Sequence, residues 1–125
     1  GDGADNAYLP HNYTSNCIVY TGTHDNETIL GWYKGLKPGV RKNVKKYLDI
    51  RGNKDIPWYF IRAAFASVAD TAVIPMQDYL EMGNEGRINT PSTLGGNWEW
   101  RMLPGAASSR LAERIRELAV TYGRT

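Results

Sequence analysis

A short polar stretch near the start of the chain combines side chains suited to acid–base chemistry and to ligand binding. It runs Thr21-Gly22-Thr23-His24-Asp25-Asn26 and follows the uncharged run Cys17-Ile18-Val19-Tyr20, which predicts a buried strand. Helical spacing comes next, so His24 and Asp25 fall on a strand-to-helix turn. Proteins built on parallel strands place their chemistry at that end of a strand. The stretch therefore predicts a catalytic or ligand-binding turn.

The same turn has a purely structural interpretation. Asp25 or Asn26 could cap the following helix, and Glu27 would then add a favourable charge near the amino end of that helix. On these residues alone, the helix cap and the catalytic turn are equally supported.

The composition predicts one globular domain without a membrane or nucleic-acid role. The chain has 125 residues, 42% apolar and 22% charged, with a net charge of +2 and no basic block. Its one cysteine, Cys17, allows no intrachain disulfide and no cysteine metal cluster, which favours a reducing, intracellular compartment. The turn-rich opening 1–7 starts without Met, so we expect the chain to be part of a longer protein.

Two apolar runs and several amphipathic stretches must position the turn. Strands are expected at residues 17–21 and 71–75. Helices are expected at residues 26–33, 38–48, 57–69 and 108–122, with one helical turn at 79–82. An apolar stripe in the third helix is interpreted as core: Trp58, Ile61, Phe65 and Val68. This order predicts an α/β fold with two β/α units, whose strands alone leave both edges unpaired.

Residues 83–105 form a long irregular segment rich in tryptophan, arginine and asparagine. Such a segment in a compact domain is usually functional, and these side chains suit a polyhydroxylated ligand. Trp98 and Trp100 could stack on a sugar or pack the loop onto the body, and both readings stay open. His11 is a further candidate, either for the site or as a surface hydrogen-bonding group.

Several motifs in a fixed order closely resemble the 4-α-glucanotransferase family, also called amylomaltase or disproportionating enzyme. They span nearly the whole chain but only the C-terminal portion of a family member. The motifs are Leu9-Pro10-His11-Asn12-Tyr13, Val19 to Asn26, Gly31-Trp32, Ile74-Pro75-Met76-Gln77-Asp78, Gly83-Asn84-Glu85, Arg87 to Pro91, Gly96-Asn97-Trp98, Trp100-Arg101 and Tyr122-Gly123-Arg124.

The resemblance implies a (β/α)₈ TIM barrel, of which this chain would supply the last two β/α units and would be incomplete as given. Residues 1–16 would be a loop, 17–70 the seventh strand and its helices, and 71–125 the eighth strand, active-site loop and final helix. The family's active site lies at the carboxyl ends of the strands, as in other barrels of this type.

The resemblance also implies a retaining double displacement on α-1,4-glucans. The family's nucleophilic Asp and acid/base Glu lie upstream of this sequence. Asp25 matches the third acid, which stabilises the transition state, and His24 would bind the same sugar. Asn89, Trp98 and Arg87 are expected to bind substrate. The mechanism needs no organic cofactor and no metal.

The expected partners are α-1,4-glucans, maltooligosaccharides, glucose and the missing part of the barrel, and the expected location is the cytoplasm. The isolated chain is expected to be inactive. Two other classes remain as alternatives. The first is an α-glucan-binding module without catalysis. The second is a metal-dependent phosphohydrolase built on His24 and Asp25, for which His11 is the only other histidine.

Overall fold

The computed structural model describes residue 4 and residues 9–125, so most of the predicted opening at 1–7 lies outside the described residues. We number the strands and α-helices in chain order. They are β1 (Ile18–Tyr20), α1 (Ile29–Lys34), α2 (Pro38–Leu48), α3 (Ile56–Ala66), β2 (Thr71–Val73), α4 (Met76–Tyr79) and α5 (Ser109–Thr121), with 3₁₀ turns at Pro10–Asn12 and Asn84–Gly86.

Within the described residues, β1 and β2 pair in parallel. Val19 lies opposite Ala72, and the backbone N–H of Thr21 donates to the carbonyl of Val73 at 3.4 Å, just beyond the paired residues. Because the strands are parallel, their carboxyl ends lie at the same edge. The segments that follow β1 and β2 therefore leave the sheet side by side.

The prediction that the first strand is buried along its length is wrong. Val19 is buried against Ala64 and Ala69, whereas Ile18 and Tyr20 are 54% and 51% exposed. Successive side chains of a strand point to opposite faces, and α3 lies on the Val19 face. The other face of this pair has no cover in the described part of the chain.

Helix α3 is the centre of the core, as its apolar stripe predicts. Trp58, Ile61 and Phe65 are buried, and side chains of α5 pack against them: Leu111, Ile115, Leu118 and Ala119. Val68 is an error of the prediction, because α3 ends at Ala66 and Val68 is 58% exposed.

The predicted helices differ from the observed ones mainly at their ends. Helix α2 has the predicted bounds, and α5 has a Ser108 cap that accepts from the N–H of Leu111. Helix α4 covers Met76–Tyr79 rather than 79–82. Helix α1 begins at Ile29, three residues later than predicted from residue 26, because Thr28 caps it by accepting from Gly31. Neither Asp25 nor Asn26 is the cap.

Arg124 binds the backbone at the carboxyl end of α3. Its Nε donates to the carbonyl of Phe65 at 2.8 Å, and its Nη2 donates to the carbonyls of Ser67 and Ala69 at 3.0 and 2.8 Å. The final segment thereby satisfies carbonyls that α3 leaves without helical partners.

We expect Arg124→Ala to lower the free energy of unfolding by about 2 to 3 kcal/mol, because several carbonyls lose a charged donor together. Urea denaturation measures this change. Arg116→Ala, at an exposed position of α5, is the matched control and should shift it by no more than about 0.5 kcal/mol. Equal effects of the two substitutions would contradict the role of Arg124.

Candidate functional site

The polar turn after β1 is held by the side chain of Asn26. Its Oδ1 accepts from the backbone N–H of Thr23 at 2.8 Å and from the Thr23 hydroxyl at 3.0 Å, and the Asn26 N–H donates to the Thr23 carbonyl at 3.1 Å. Asparagine favours such local bonds to backbone and therefore favours turns. His24 and Asp25 lie between these two anchoring residues.

His24 and Asp25 face each other at this turn. His24 Nε2 lies 3.2 Å from Asp25 Oδ2, and the two side chains are 53% and 47% exposed. A half-exposed carboxylate can accept hydrogen bonds from a ligand and can face a developing positive charge. The turn is therefore accessible as well as ordered.

Asn89 contacts both of these residues, although it is far from them in sequence. Its Nδ2 donates to Asp25 Oδ1 at 2.7 Å, and its backbone N–H donates to the His24 carbonyl at 3.1 Å. With His24 at the other oxygen, the Asp25 carboxylate has a contact on each side. The predicted site residues His24, Asp25 and Asn89 thus lie together.

Arg87 links the segment of His24 and Asp25 to the segment of Asn89 through their backbone carbonyls. Its Nη2 donates to the Asp25 carbonyl at 2.8 Å, and its Nε donates to the Asn89 carbonyl at 3.0 Å. In this structure two of its nitrogens therefore fix the relative position of Asp25 and Asn89. We expected Arg87 to contact substrate, and this contact to a ligand stays a prediction.

Trp98 lies beside His24, with ring centroids 5.1 Å apart and an interplanar angle of 32°. The residue is 58% exposed, its φ is 62°, and its backbone N–H donates to the Ile88 carbonyl at 2.7 Å. A positive φ is uncommon for a bulky residue and marks a position held by its surroundings. Trp98 therefore presents an exposed aromatic ring beside His24, whereas Trp100 is half-buried.

The segment that carries Trp98 is ordered by Asn97. Asn97 Oδ1 accepts from the N–H of Thr90 at 2.8 Å, and its Nδ2 donates to the Thr93 hydroxyl at 3.1 Å. These contacts close residues 90–97 into a compact loop. Leu94, at its tip, is fully exposed.

Gly31 of α1 packs closely against Asn84 of the 3₁₀ turn Asn84–Gly86. A Cβ at Gly31 would overlap the Asn84 side chain, whose Nδ2 donates to Glu27 Oε1 at 2.9 Å. Glycine usually weakens a helix, but at position 31 it leaves the space that the Asn84 side chain occupies.

Two adjoining clefts lie around this turn. The larger, of about 590 Å³, is lined by the strand ends and by site residues that include His24 and Arg87. The smaller, of about 450 Å³, is lined by Asp25, Glu27, Trp32 and Arg87 among others. His24 therefore lines one cleft and Asp25 the other, and the size of the larger cleft suits a small organic ligand.

Asp78 is a residue of the site region whose role the sequence reasoning missed. It is 2% exposed, and its Oδ2 accepts from the Thr21 hydroxyl at 2.7 Å while its Oδ1 accepts from the N–H of Ile29 at 2.9 Å. Burial raises the pKa of the Asp78 carboxyl above its ordinary value of 3.8, and the bonds from Ile29 and Thr21 act in the opposite direction. The signals in the sequence were an acid three residues after the second apolar run and its place in the motif Ile74-Pro75-Met76-Gln77-Asp78.

The raised pKa of Asp78 predicts a pH dependence of folding. The folded protein binds the proton of the Asp78 carboxyl more strongly than the unfolded chain does. The stability gained from this proton is fully present below the pKa of the unfolded chain, about 3.8, and is lost as pH rises through the pKa of the folded protein. The free energy of unfolding of wild type minus that of Asp78→Asn should therefore fall with rising pH. Denaturation at several pH values measures this difference, and a rise with pH would contradict the assignment.

His11 makes contacts outside the His24–Asp25 turn. Its Nδ1 lies 2.6 Å from the Tyr47 hydroxyl, and its Nε2 lies 2.6 Å from the Ala4 carbonyl. These contacts favour the reading of His11 as a surface hydrogen-bonding group.

Two kinds of feature are absent from the part of the chain that the structure describes. No helix there is long and apolar enough to cross a membrane. No group of three or more His, Cys, Asp or Glu side chains there could hold a metal ion.

Fold and site together define an α/β protein whose polar groups gather at the carboxyl ends of parallel strands. The sequence model of the 4-alpha-glucanotransferase family matches residues 1–107. The chain therefore belongs to the 4-alpha-glucanotransferase family, and the predicted resemblance is confirmed.

Individual relatives agree with this assignment. The chain is 49% identical over 127 residues to the chloroplastic/amyloplastic 4-alpha-glucanotransferase DPE1 of Arabidopsis thaliana, covering 99% of this chain and 22% of that protein. It is 45% identical to the 4-alpha-glucanotransferase of Clostridium butyricum, covering 99% of this chain and 26% of the relative. The amylomaltase of Streptococcus agalactiae, solved in complex with acarbose, superposes with a TM-score of 0.90 at 35% identity, over 95% of this chain and 24% of that chain. The chain thus spans about a quarter of the length of these relatives.

Proposed function

We propose that this chain forms the C-terminal part of a 4-α-glucanotransferase and supplies Asp25 to its active site. The observation that carries the proposal is the Asp25 carboxylate, half exposed at the end of β1 and contacted by Asn89 and His24. In the proposed arrangement β1 and β2 are the seventh and eighth strands of a TIM barrel. The exposed face of these strands, with Ile18 and Tyr20, supports further elements that cover it in the complete protein, as in the filled interior of a barrel.

The proposed reaction has two displacement steps. A carboxylate from the missing part attacks the anomeric carbon of an α-1,4-glucan, and the departing sugar oxygen takes a proton from a second carboxyl group. The 4-hydroxyl of another glucan then attacks the same carbon, returns a proton to the second carboxyl group and releases the enzyme carboxylate. Net transfer therefore breaks one α-1,4 bond and forms another.

Asp25 is proposed to stabilise the oxocarbenium-like transition state of both steps. Its negative charge faces the positive charge that develops on the sugar ring, and its oxygens accept sugar hydroxyls. Asn89 and His24 hold the carboxylate by its two oxygens, which limits reorganisation during the reaction. The acarbose complex of the Streptococcus agalactiae amylomaltase supports an α-glucan as the ligand class.

The primary test of this function is the full-length protein incubated with maltotriose. Transfer should release glucose without a rise in the total number of reducing ends, because each broken bond is replaced. An equal rise in glucose and in reducing ends would indicate hydrolysis and would contradict the proposal.

A non-catalytic glucan-binding module remains the second candidate, because the aromatic ring of Trp98 is exposed beside His24. Titration with maltooligosaccharides, followed by tryptophan fluorescence, distinguishes the two functions. Saturable binding without turnover by the full-length protein would favour the module.

We expect Trp98→Ala to weaken maltooligosaccharide binding by about tenfold, since stacking on an aromatic face contributes about 1 kcal/mol or more. The rise in KM of the full-length protein measures this loss. Trp100→Ala is the matched control, because Trp100 is less exposed. A KM unchanged by Trp98→Ala would show that Trp98 does not contact the substrate.

The location of the protein is proposed to be the cytoplasm. The name of the Arabidopsis thaliana relative instead gives the chloroplast and amyloplast. Fractionation of the source cells, with detection of the full-length protein, tests this part of the proposal.

A further inference from the structure

One buried carboxylate binds both ends of the segment that carries His24 and Asp25. Thr21 directly follows β1, and Ile29 is the first residue of α1. The Thr21 hydroxyl donates to Asp78 Oδ2 at 2.7 Å, and the Ile29 N–H donates to Asp78 Oδ1 at 2.9 Å. The segment 22–28 is therefore closed at its base by the side chain of a residue from α4.

We propose that Asp78 is a positioning residue, which fixes the base of segment 22–28 and thereby holds Asp25 where the reaction needs it. This inference rests on the proposed function. Asp78 is 2% exposed with a partner on each oxygen, so it acts through Asp25 rather than on the substrate.

The contacts of Asp78 complement those at the tip of the same segment. Arg87 and Asn89 hold the tip through the Asp25 carbonyl and carboxylate. Asp78 adds what the tip contacts do not supply, a direct link between the end of β1 and the start of α1. A displacement of about 1 Å in an active site can cost about a hundredfold in rate, so the base contact has a catalytic consequence.

A buried carboxylate is also an unusual choice for packing alone. Burial of a charge is unfavourable, and an apolar side chain of similar volume is often as stable. The carboxylate, however, can accept from two donors at once, and the two donors here belong to different elements. The geometry thus explains why a polar side chain lies at this buried position.

A double-mutant cycle in the full-length protein tests the proposal. Asp78→Ala should lower kcat by about a hundredfold, with a smaller change in KM, because it frees the base of the segment. In the Asp25→Asn background the same substitution should change the residual kcat by no more than about twofold. Asp78→Asn should restore most of the activity, since its amide can accept from Ile29 and donate to the Thr21 hydroxyl.

Thr21→Val is the second variant, because it removes one donor while it leaves Asp78 in place. We expect a smaller loss of kcat that also disappears in the Asp25→Asn background. Arg124→Ala is the matched stability control, since it acts at the opposite end of the strands, beside Ala69. It should lower the melting temperature with little change in kcat at temperatures where the protein stays folded.

Amide hydrogen exchange separates this inference from the proposed function. Segment 22–28 should lose protection in Asp78→Ala and in Thr21→Val, but not in Arg124→Ala, whatever the activity of the protein. Equal losses of kcat in both Asp25 backgrounds, or unchanged exchange in the segment, would overturn the positioning role. Absence of transfer by wild type, with the exchange changes present, would instead overturn only the proposed function.

Discussion

Asp25→Asn is expected to lower kcat for glucan transfer by about 10²- to 10³-fold or more, the usual loss when a transition-state electrostatic contact is removed. The amide matches the carboxylate in shape, so its oxygen can still accept from Asn89, as Asp25 Oδ1 does at 2.7 Å. The substitution removes the negative charge that faces the developing oxocarbenium ion, together with the second oxygen, which lies beside His24. Initial rates of glucose release from maltotriose by the full-length protein measure the change.

Asp70→Asn is the matched control for this substitution. It removes the same charge from an exposed carboxylate just before β2, at the end of the strand opposite the site. Its kcat should equal that of wild type. A decrease of less than about tenfold in Asp25→Asn would remove Asp25 from the group that stabilises the transition state.

A protein limited to the 125 residues shown is expected to release no detectable glucose from maltotriose. The proposed nucleophile and acid/base belong to the missing part, and without either carboxyl group neither displacement step can begin. Parallel assays of this chain and of the full-length protein at equal molar concentration measure the effect.

Two further measurements separate loss of chemistry from loss of folding in that comparison. Circular dichroism of the 125-residue chain reports whether its helices are formed, and Asp25→Asn in the full-length protein reports the effect of one missing carboxylate on an intact fold. Measurable transfer by the short chain would show that this chain carries its own nucleophile. That result would contradict the proposal that the nucleophile lies upstream of the 125 residues.

The helices were the part of the fold that the sequence predicted best. Helix α2 and helix α5 have strong amphipathic spacing and clear end signals, such as Pro38 and Ser108. These signals are local, so they need no knowledge of the rest of the structure. The start of α1 was misplaced because Asn26 and Thr28 are both good caps, and the bond from Thr23 to Asn26 decides between them.

Burial of the strands could not be predicted from their composition. Ile18 and Val19 are both β-branched and suit any strand, yet one is 54% and the other 5% exposed. The difference depends on which face α3 covers, which is a long-range property. Apolar composition alone therefore indicated a strand but not which side of it is covered.

The site was less predictable the farther apart its residues lie in the sequence. His24 and Asp25 are adjacent, so their types and position sufficed to single them out. Asn89 was found only through the family resemblance, because it reaches Asp25 from a separate segment. Asp78 was missed because its two donors, Thr21 and Ile29, meet only once the chain has folded.

The most direct test of the whole account is the chain length of the products that the full-length protein makes from maltotriose. Transfer of a maltosyl unit between two maltotriose molecules predicts glucose and maltopentaose at early times, with the pattern nearly absent in Asp25→Asn. Chromatographic separation of the oligosaccharides resolves these products. Glucose and maltose alone, or no change in the maltotriose, would contradict the assignment of glucan transfer to the protein that contains this chain.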